Sequence, residues 1–344
     1  MKMKAFFRND YGEGAHPLVM QRLLETNLEH TCGYGLDEYS LRAAELIREK
    51  CAQPQAQVHM MTGGTSANVI ALAAFLRPYE AAICAPTGHI HVHETGALEA
   101  TGHKILTCEA KEGKVIPQGV AEVCARHTDE HMVFPRLLYI SQPTEIGTVY
   151  SLSELKALRQ VCDENGLLLF VDGARLGSAL TSAECDMTLR DLAALADCFY
   201  IGGTKNGLLF GEAMVIVNPA LQANFRYMIK HNGGMMAKGR LCGVMFLTAM
   251  ENDDYFVWAR HANAMADIVR TGMEKGGVPF YQRTTTNQIF AILTREQNET
   301  LEKDFSYEIW EKLEDGKVAV RFVTSWATSE EDARKLADAL EAFA

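Results

Sequence analysis

Tyr200-Ile201-Gly202-Gly203-Thr204-Lys205-Asn206-Gly207 sets a single lysine in a glycine-rich turn, directly after an apolar run that reads as a buried strand. A lysine held there is suited to forming a Schiff base. Working back 33 residues (205 − 172), the apolar run Leu167-Leu168-Leu169-Phe170-Val171 ends in Asp172-Gly173-Ala174-Arg175. An aspartate at one strand end and a lysine after the next strand meet the needs of pyridoxal 5'-phosphate: a carboxylate for the pyridinium nitrogen and an amine for the aldehyde. The glycines flanking Lys205 permit close backbone approach to a ligand and have a conformational cost in an idle surface turn.

Outward from these two runs, strand-length apolar segments alternate with segments of helical period. That pattern predicts an α/β protein with a mostly parallel sheet sandwiched by helices. The predicted strands are Val58–Met61, Ala82–Ala85, Lys104–Cys108, Leu137–Ser141, Leu167–Val171, Cys198–Ile201 and Ala213–Val217. Helices are expected near 36–52, 65–77, 93–101, 117–127, 151–165 and 187–196, the fifth started by Ser151 or Ser153 with Glu154 in its first turn. After Val217 the alternation stops. Helical period covers 219–231 and 238–274, strand-like Gln288–Leu293 and Lys317–Val323 bracket a helix near 298–314, and a last helix spans 329–343. The expectation is a large domain over 31–232 and a smaller α+β domain built from 233–344 with the N-terminal segment 1–30.

Composition narrows the partners. The chain has 344 residues, 48% of them hydrophobic, and a formal charge of −11 with no Lys/Arg cluster, which argues against nucleic acid. No apolar run reaches the roughly 20 residues of a membrane span, and Met1-Lys2-Met3-Lys4 leads into Arg8, Asn9 and Asp10 instead of a signal core, so a cytoplasmic protein without a membrane partner is expected. The nine cysteines are scattered with no pair at metal-clip or redox spacing and read as reduced small hydrophobes.

Gly63-Gly64-Thr65-Ser66 lies between a strand and an alanine-rich helix, where backbone N–H groups and the helix dipole favour an anion such as a phosphate. The same turn also reads as a plain N-cap. In Gly88-His89-Ile90-His91-Val92-His93-Glu94, a strand would send His89, His91 and His93 to one face as zinc ligands, with Glu94 as base. In the pyridoxal reading, one imidazole stacks on the ring and the carboxylate lies beside it. Arg321 leaves the apolar strand Val318-Ala319-Val320-Arg321-Phe322-Val323 toward one face, a fork suited to an α-carboxylate.

Together these residues resemble the low-specificity threonine aldolases within the β-eliminating lyases, which are aspartate-aminotransferase-like (fold type I) pyridoxal phosphate enzymes. The resemblance runs from Arg8-Asn9-Asp10 to Arg321-Phe322-Val323-Thr324-Ser325-Trp326. It implies that Lys205 bonds to the cofactor, Asp172 meets its ring nitrogen, His89 stacks on the ring, and Gly64, Thr65 and Ser66 hold the phosphate. It further implies that Arg175 and Arg321 flank the substrate carboxylate, that Asn9 stands where the family has a substrate-site serine, and that Tyr34 reaches the neighbouring subunit. Either Lys238 or Arg240 takes the place of an arginine directed at a partner's phosphate. The chain departs from the family at Glu145, where a histidine often follows the threonine, and at Ser325.

The resemblance implies cleavage of a β-hydroxy-α-amino acid such as L-threonine or L-allo-threonine to glycine and an aldehyde, in a homodimer or homotetramer with shared sites. Glu94, Glu145, His89 or a water is the candidate base. The rivals are another pyridoxal phosphate lyase, racemase or transaminase, a metal hydrolase on the histidine segment, and a cofactor-binding protein without turnover.

Overall fold

The structure, a computed structural model, describes residues 4–344. Its large sheet has seven strands: β1 (Gln57–Met61), β2 (Glu80–Cys84), β3 (Lys104–Thr107), β4 (Phe134–Ser141), β5 (Leu168–Asp172), β6 (Cys198–Gly202) and β7 (Glu212–Ile216). They lie in the order β1-β7-β6-β5-β4-β2-β3. Strand β7 runs antiparallel to both neighbours and every other pair is parallel, so the sheet is mostly parallel as expected. The reversal follows from chain length. The connection 203–211 is shorter than the roughly twelve residues a parallel crossover needs, so β7 returns as a hairpin partner of β6.

The helices are α1 (Pro17–Glu25), α2 (Glu38–Cys51), α3 (Gly64–Phe75), α4 (His89–Val92), α5 (Pro117–Arg126), α6 (Leu152–Asn165), α7 (Leu176–Leu180), α8 (Leu189–Leu195), α9 (Phe225–His231), α10 (Arg240–Glu251), α11 (Asp254–Lys275), α12 (Arg295–Leu301) and α13 (Glu330–Glu341); α3 and α9 pack on one face of this sheet and α2, α6, α8 and α10 on the other. Because both sides are covered, β2, β5, β6 and β7 are buried along their whole length and read as apolar runs. Alternation divides them. Leu169, Val171, Phe199 and Ile201 pack with α6 and α10, whereas Leu168, Phe170, Cys198 and Tyr200 pack with α3. The second set leads to Asp172, which therefore ends its strand on the α3 face. Ser151 caps α6 in a reciprocal capping box with Glu154, and Gly166 closes it in the left-handed region (φ 66°).

A second, antiparallel sheet contains β8 (Phe280–Gln282), β9 (Gln288–Leu293), β10 (Glu308–Lys312) and β11 (Val318–Val323) in the order β8-β9-β11-β10. Ile289, Val320 and Phe322 pack there with Val269 of α11 and Leu336 of α13. Phe7 joins this core, and Ala5–Phe6 pair in parallel with Phe305–Ser306. That anchorage carries Asp10 and Tyr11 toward the large sheet.

Three predicted elements are corrected. The helix expected over 93–101 is a short helix at His89–Val92 followed by a 3-10 turn at Glu99–Thr101. The helix over 238–274 is two helices, broken where Asp253 adopts φ 60°. The helix near 298–314 stops at Leu301, and Glu308–Lys312 is an edge strand joined to β11 through a turn with Gly316 at φ 81°. Asp315-Gly316 is a hairpin signal, and it outweighs the helical period of the residues before it.

Candidate active site

Asp172 is buried at the carboxyl end of β5. Tyr139 Oη donates to its Oδ2 at 2.5 Å, Asn68 Nδ2 donates to the same oxygen at 3.1 Å, and the Ala174 N–H donates to Oδ1 at 3.0 Å. Burial by itself favours the neutral acid. The nearby His89 charge and the hydrogen bonds from Tyr139, Tyr200 and Ala174 outweigh it and hold this carboxyl below its ordinary value. The result is a fixed anion with its donors already in place.

Asn68 of α3 links that carboxylate to a second. Its Nδ2 also donates to Glu94 Oε1 at 2.8 Å, and the same oxygen lies 2.8 Å from His89 Nδ1. Glu94 has no exposed side-chain surface and does not line the cleft; it sits behind His89 and orients the imidazole. The helical turn of α4 also sends His89 and His93 to one side, with ring centroids 5.5 Å apart, while His91 leaves that side exposed. The strand geometry that would gather all three histidines is therefore absent. In front of His89, Glu145 Oε1 accepts from the His89 N–H at 2.9 Å and from Ser141 Oγ at 2.6 Å. Burial raises the Glu145 carboxyl above its ordinary value.

Lys205 lies on the hairpin between β6 and β7, and Glu212 stitches that hairpin together. Gly203 N–H and Thr204 Oγ1 each donate to the Glu212 carboxylate at 2.9 Å, and Gly211 N–H donates to Thr204 Oγ1 at 3.0 Å. Burial pushes the Lys205 amine down to about 8, helped by Arg175 and opposed by the anions Asp10, Asp172 and Glu212. Neutral amine thus becomes abundant near physiological pH. Burial also raises the Glu212 carboxyl, to about 7, so above that pH it is an anion that favours the charged lysine, and removing it lowers the Lys205 value further. Glu212→Gln is expected to shift downward the pH midpoint for uptake of pyridoxal 5'-phosphate, read by borohydride fixation across a pH series; an unmoved midpoint rejects the link.

The cleft has a volume of about 270 Å3 and is lined by Tyr11, His89, His93, Glu145, Arg175, Lys205, Glu308, Trp310 and Arg321. Lys205 Nζ is 5.8 Å from the centroid of the Tyr11 ring. Arg175 is held by Asp10, from Nε at 2.7 Å and Nη2 at 3.0 Å, and Asn287 Nδ2 donates to the same aspartate at 2.9 Å. Breaking a buried pair of this kind costs about 3–5 kcal/mol, so it ties the N-terminal segment over the cleft. Arg321 donates from Nη1 to Gln288 Oε1 at 3.2 Å and from Nη2 to Glu308, and its guanidinium carbon lies 5.2 Å from the Trp310 ring centroid.

Gly64, Thr65 and Ser66 form the first turn of α3, whose N-cap Gly63 supplies no side-chain acceptor. Ser66 Oγ turns back to the Gly63 carbonyl at 2.8 Å, and Thr65 is exposed. Asn9 lies outside the cleft; its Oδ1 accepts from Tyr11 N–H at 3.1 Å. Tyr34 lines a separate cavity with His59, Arg226 and Met236. Lys238 is exposed, Arg240 begins α10 half-buried, and neither lines the Lys205 cleft of its own chain. Asn68, Tyr139, Asp10, Tyr11, Glu212, Glu308 and Trp310 were not singled out from the sequence. Asn68 was within reach, lying one helical turn after Gly64, whereas Tyr139 needed the register that sets it opposite Phe170.

A buried carboxylate at the end of one strand and a softened lysine after the next, on a mostly parallel sheet, define the aspartate-aminotransferase-like class. The aspartate aminotransferase of Thermus thermophilus superposes with a TM-score of 0.72 at 15% identity, covering 99% of this chain and 92% of that one, which establishes the shared fold. The chain belongs to the beta-eliminating lyase family, whose sequence model matches residues 7–296. It is 31% identical to the low specificity L-threonine aldolase of Pseudomonas aeruginosa over 96% of this chain and 95% of that protein. It is also 43% identical to a solved threonine aldolase of Leishmania major, with a TM-score of 0.97 and coverage of 98% and 99%. Family and fold are those of pyridoxal phosphate-dependent enzymes. Among the described residues, no helix is long and apolar enough to cross a membrane.

Proposed function

We propose that this protein uses pyridoxal 5'-phosphate to cleave β-hydroxy-α-amino acids, L-threonine and L-allo-threonine foremost, into glycine and an aldehyde. The observation that carries the reading is Lys205, its amine softened by burial, which lines the cleft and also a small pocket of about 30 Å3 shared with His89, Glu145, Arg175 and the preorganised anion Asp172. The relatives named threonine aldolase support the same choice. The donor set suits the cofactor: a carboxylate for a pyridinium nitrogen, an amine more readily deprotonated than an ordinary lysine for an aldehyde, and the first turn of α3, whose N-cap glycine has no side chain, for a phosphate. When bound, the cofactor supplies an electron sink for the pair released as Cα–Cβ breaks.

The chain's own groups do the rest. Asp172 would hold a proton on the ring nitrogen, and Gly64, Thr65 and Ser66 would offer backbone N–H groups to the phosphate. His89, oriented by Glu94, would hold the ring by its imidazole. Arg321 binds the substrate carboxylate; Arg175, its Nε and Nη2 already taken by Asp10, shapes the positive wall beside it. At the β-hydroxyl, Glu145 is the base this cleft favours. It lines the cavity, burial raises its carboxyl above the ordinary value and so makes it a stronger base, and both its bonds end on Oε1, which leaves Oε2 for a proton. Tyr34 and either Lys238 or Arg240 complete the site of a second copy in a homodimer or homotetramer, since none of them reaches the cleft of its own chain.

The test is product analysis. Protein loaded with pyridoxal 5'-phosphate and given L-threonine is expected to release acetaldehyde and glycine in equal amounts, followed by coupled reduction of the aldehyde. Release of 2-oxobutanoate and ammonia without acetaldehyde would instead establish β-elimination and overturn the proposal.

A further inference from the structure

Arg321 and Arg175 face one cleft but are held differently. The Arg175–Asp10 pair is nearly or wholly buried, with the Asp10 side chain 0% exposed, and two guanidinium nitrogens bond to the one carboxylate. Arg321 is 12% exposed in its side chain, whereas its acidic partner Glu308 is 41% exposed. Glu308 reaches Arg321 only through Nη2, and Arg321 Nε is buried with no acceptor. Gln288 Nε2, on the side chain whose Oε1 accepts from Arg321, is likewise a buried donor without a partner. Two orphaned donors around one guanidinium mark an acceptor that this edge lacks.

Other contacts already keep Arg321 in position. Gln288 holds Nη1 and the Trp310 ring lies under the guanidinium. Trp310 is aimed there by a bulge between Ile309 and Glu311 and is braced edge-on by Phe290, with centroids 5.2 Å apart. Neither contact uses the Nε–Nη2 edge, along which a carboxylate binds two-pronged. Glu308 occupies half of that edge from a half-exposed position on an edge strand.

We propose that Glu308 is a displaceable stand-in for the substrate carboxylate, a specificity-determining latch that the incoming α-carboxylate must push off Arg321 before it binds. The inference rests on the reading of Arg321 as the substrate clamp. Displacement exchanges one ion pair for another and satisfies the orphaned Nε. A pair whose acid is half in solvent is weak enough to be displaced and still lowers affinity. Ligands without a carboxylate cannot displace it, so the latch also favours amino acids over simple amines.

The experiment compares wild-type holoenzyme with Glu308→Gln, Glu308→Ala and Arg321→Ala. It reads KM and kcat for L-threonine and, independently of turnover, glycine affinity by titration calorimetry. Both Glu308 variants are expected to lower KM and tighten glycine binding by about two- to fivefold, the range set by exposed ion pairs, with the change carried in KM instead of kcat. Unchanged or weaker binding in both Glu308 variants would overturn the latch and make Glu308 a support for Arg321. Arg321→Ala separates the two ideas. Weaker binding in that variant upholds the clamp whatever Glu308 does, whereas unaltered binding removes the clamp and the latch with it.

Discussion

Lys205→Ala is expected to reduce aldehyde release from L-threonine by at least about 10³-fold while leaving the fold intact, because the variant removes the one lysine that lines the cleft among the described residues and nothing that holds the hairpin. Gly203 and Thr204 stay bonded to Glu212, and Asn206 Nδ2 still donates to the Tyr255 carbonyl at 2.8 Å. The far-ultraviolet circular dichroism spectrum and the unfolding midpoint check the fold, and product assay checks the chemistry. The same variant should lose all covalent fixation of pyridoxal 5'-phosphate by borohydride. Retained turnover would remove the basis of the proposed function.

Gly173→Ala is expected to destabilise the protein by about 3 kcal/mol or more, seen as a lower urea midpoint or loss of soluble protein. A Cβ at this position would fall inside the carbonyl oxygen of Tyr200 and also press on Leu176 Cβ. The obstacle is backbone, which cannot swing aside as the tip of a long side chain can. The crowding has a purpose: Gly202 N–H donates to the Gly173 carbonyl at 2.9 Å, which clamps the end of β6 to the end of β5. That clamp sets the separation between Asp172 and the hairpin bearing Lys205. A soluble variant should therefore lose activity beyond what its lower stability explains. An unchanged urea midpoint would show that the strand ends can part without cost.

Legibility of the site tracked how local each signal is. Asp172 and Lys205 stand at the ends of buried strands, and a buried strand advertises itself by an unbroken apolar run. The α6 boundary was equally open, since Ser151 and Glu154 cap each other within one turn. The histidine segment was ambiguous because four residues are too few to establish a period, and its helical turn brings together His89 and His93 alone. The edge strand at Glu308–Lys312 was missed because its partner β11 supplies its pairing. With it went Glu308 and Trp310.

Glu94 shows the same limit in chemical terms. Its position five residues after His89 marks it as a neighbour of the site, but not whether it faces substrate or stands behind the imidazole. Packing decides: Asn68 from α3 and His89 from α4 both take Glu94 Oε1, which turns that carboxylate away from the cleft. Arg175 is expected beside the substrate carboxylate and lines the cleft, but that two of its nitrogens are held by Asp10, far away in the chain, could not be read locally.

The linear chain carried the class of chemistry and the mostly parallel architecture, because strand burial, helix capping and turn composition depend on residues near one another. Which charges meet across the cleft was decided by the tertiary structure alone. Those pairings join the N-terminal Asp10 to Arg175 ahead of α7 and Glu308 on an edge strand of the small sheet to Arg321 on its neighbour. Coulomb energy and desolvation act through space, and neither leaves a periodic trace in the order of the residues.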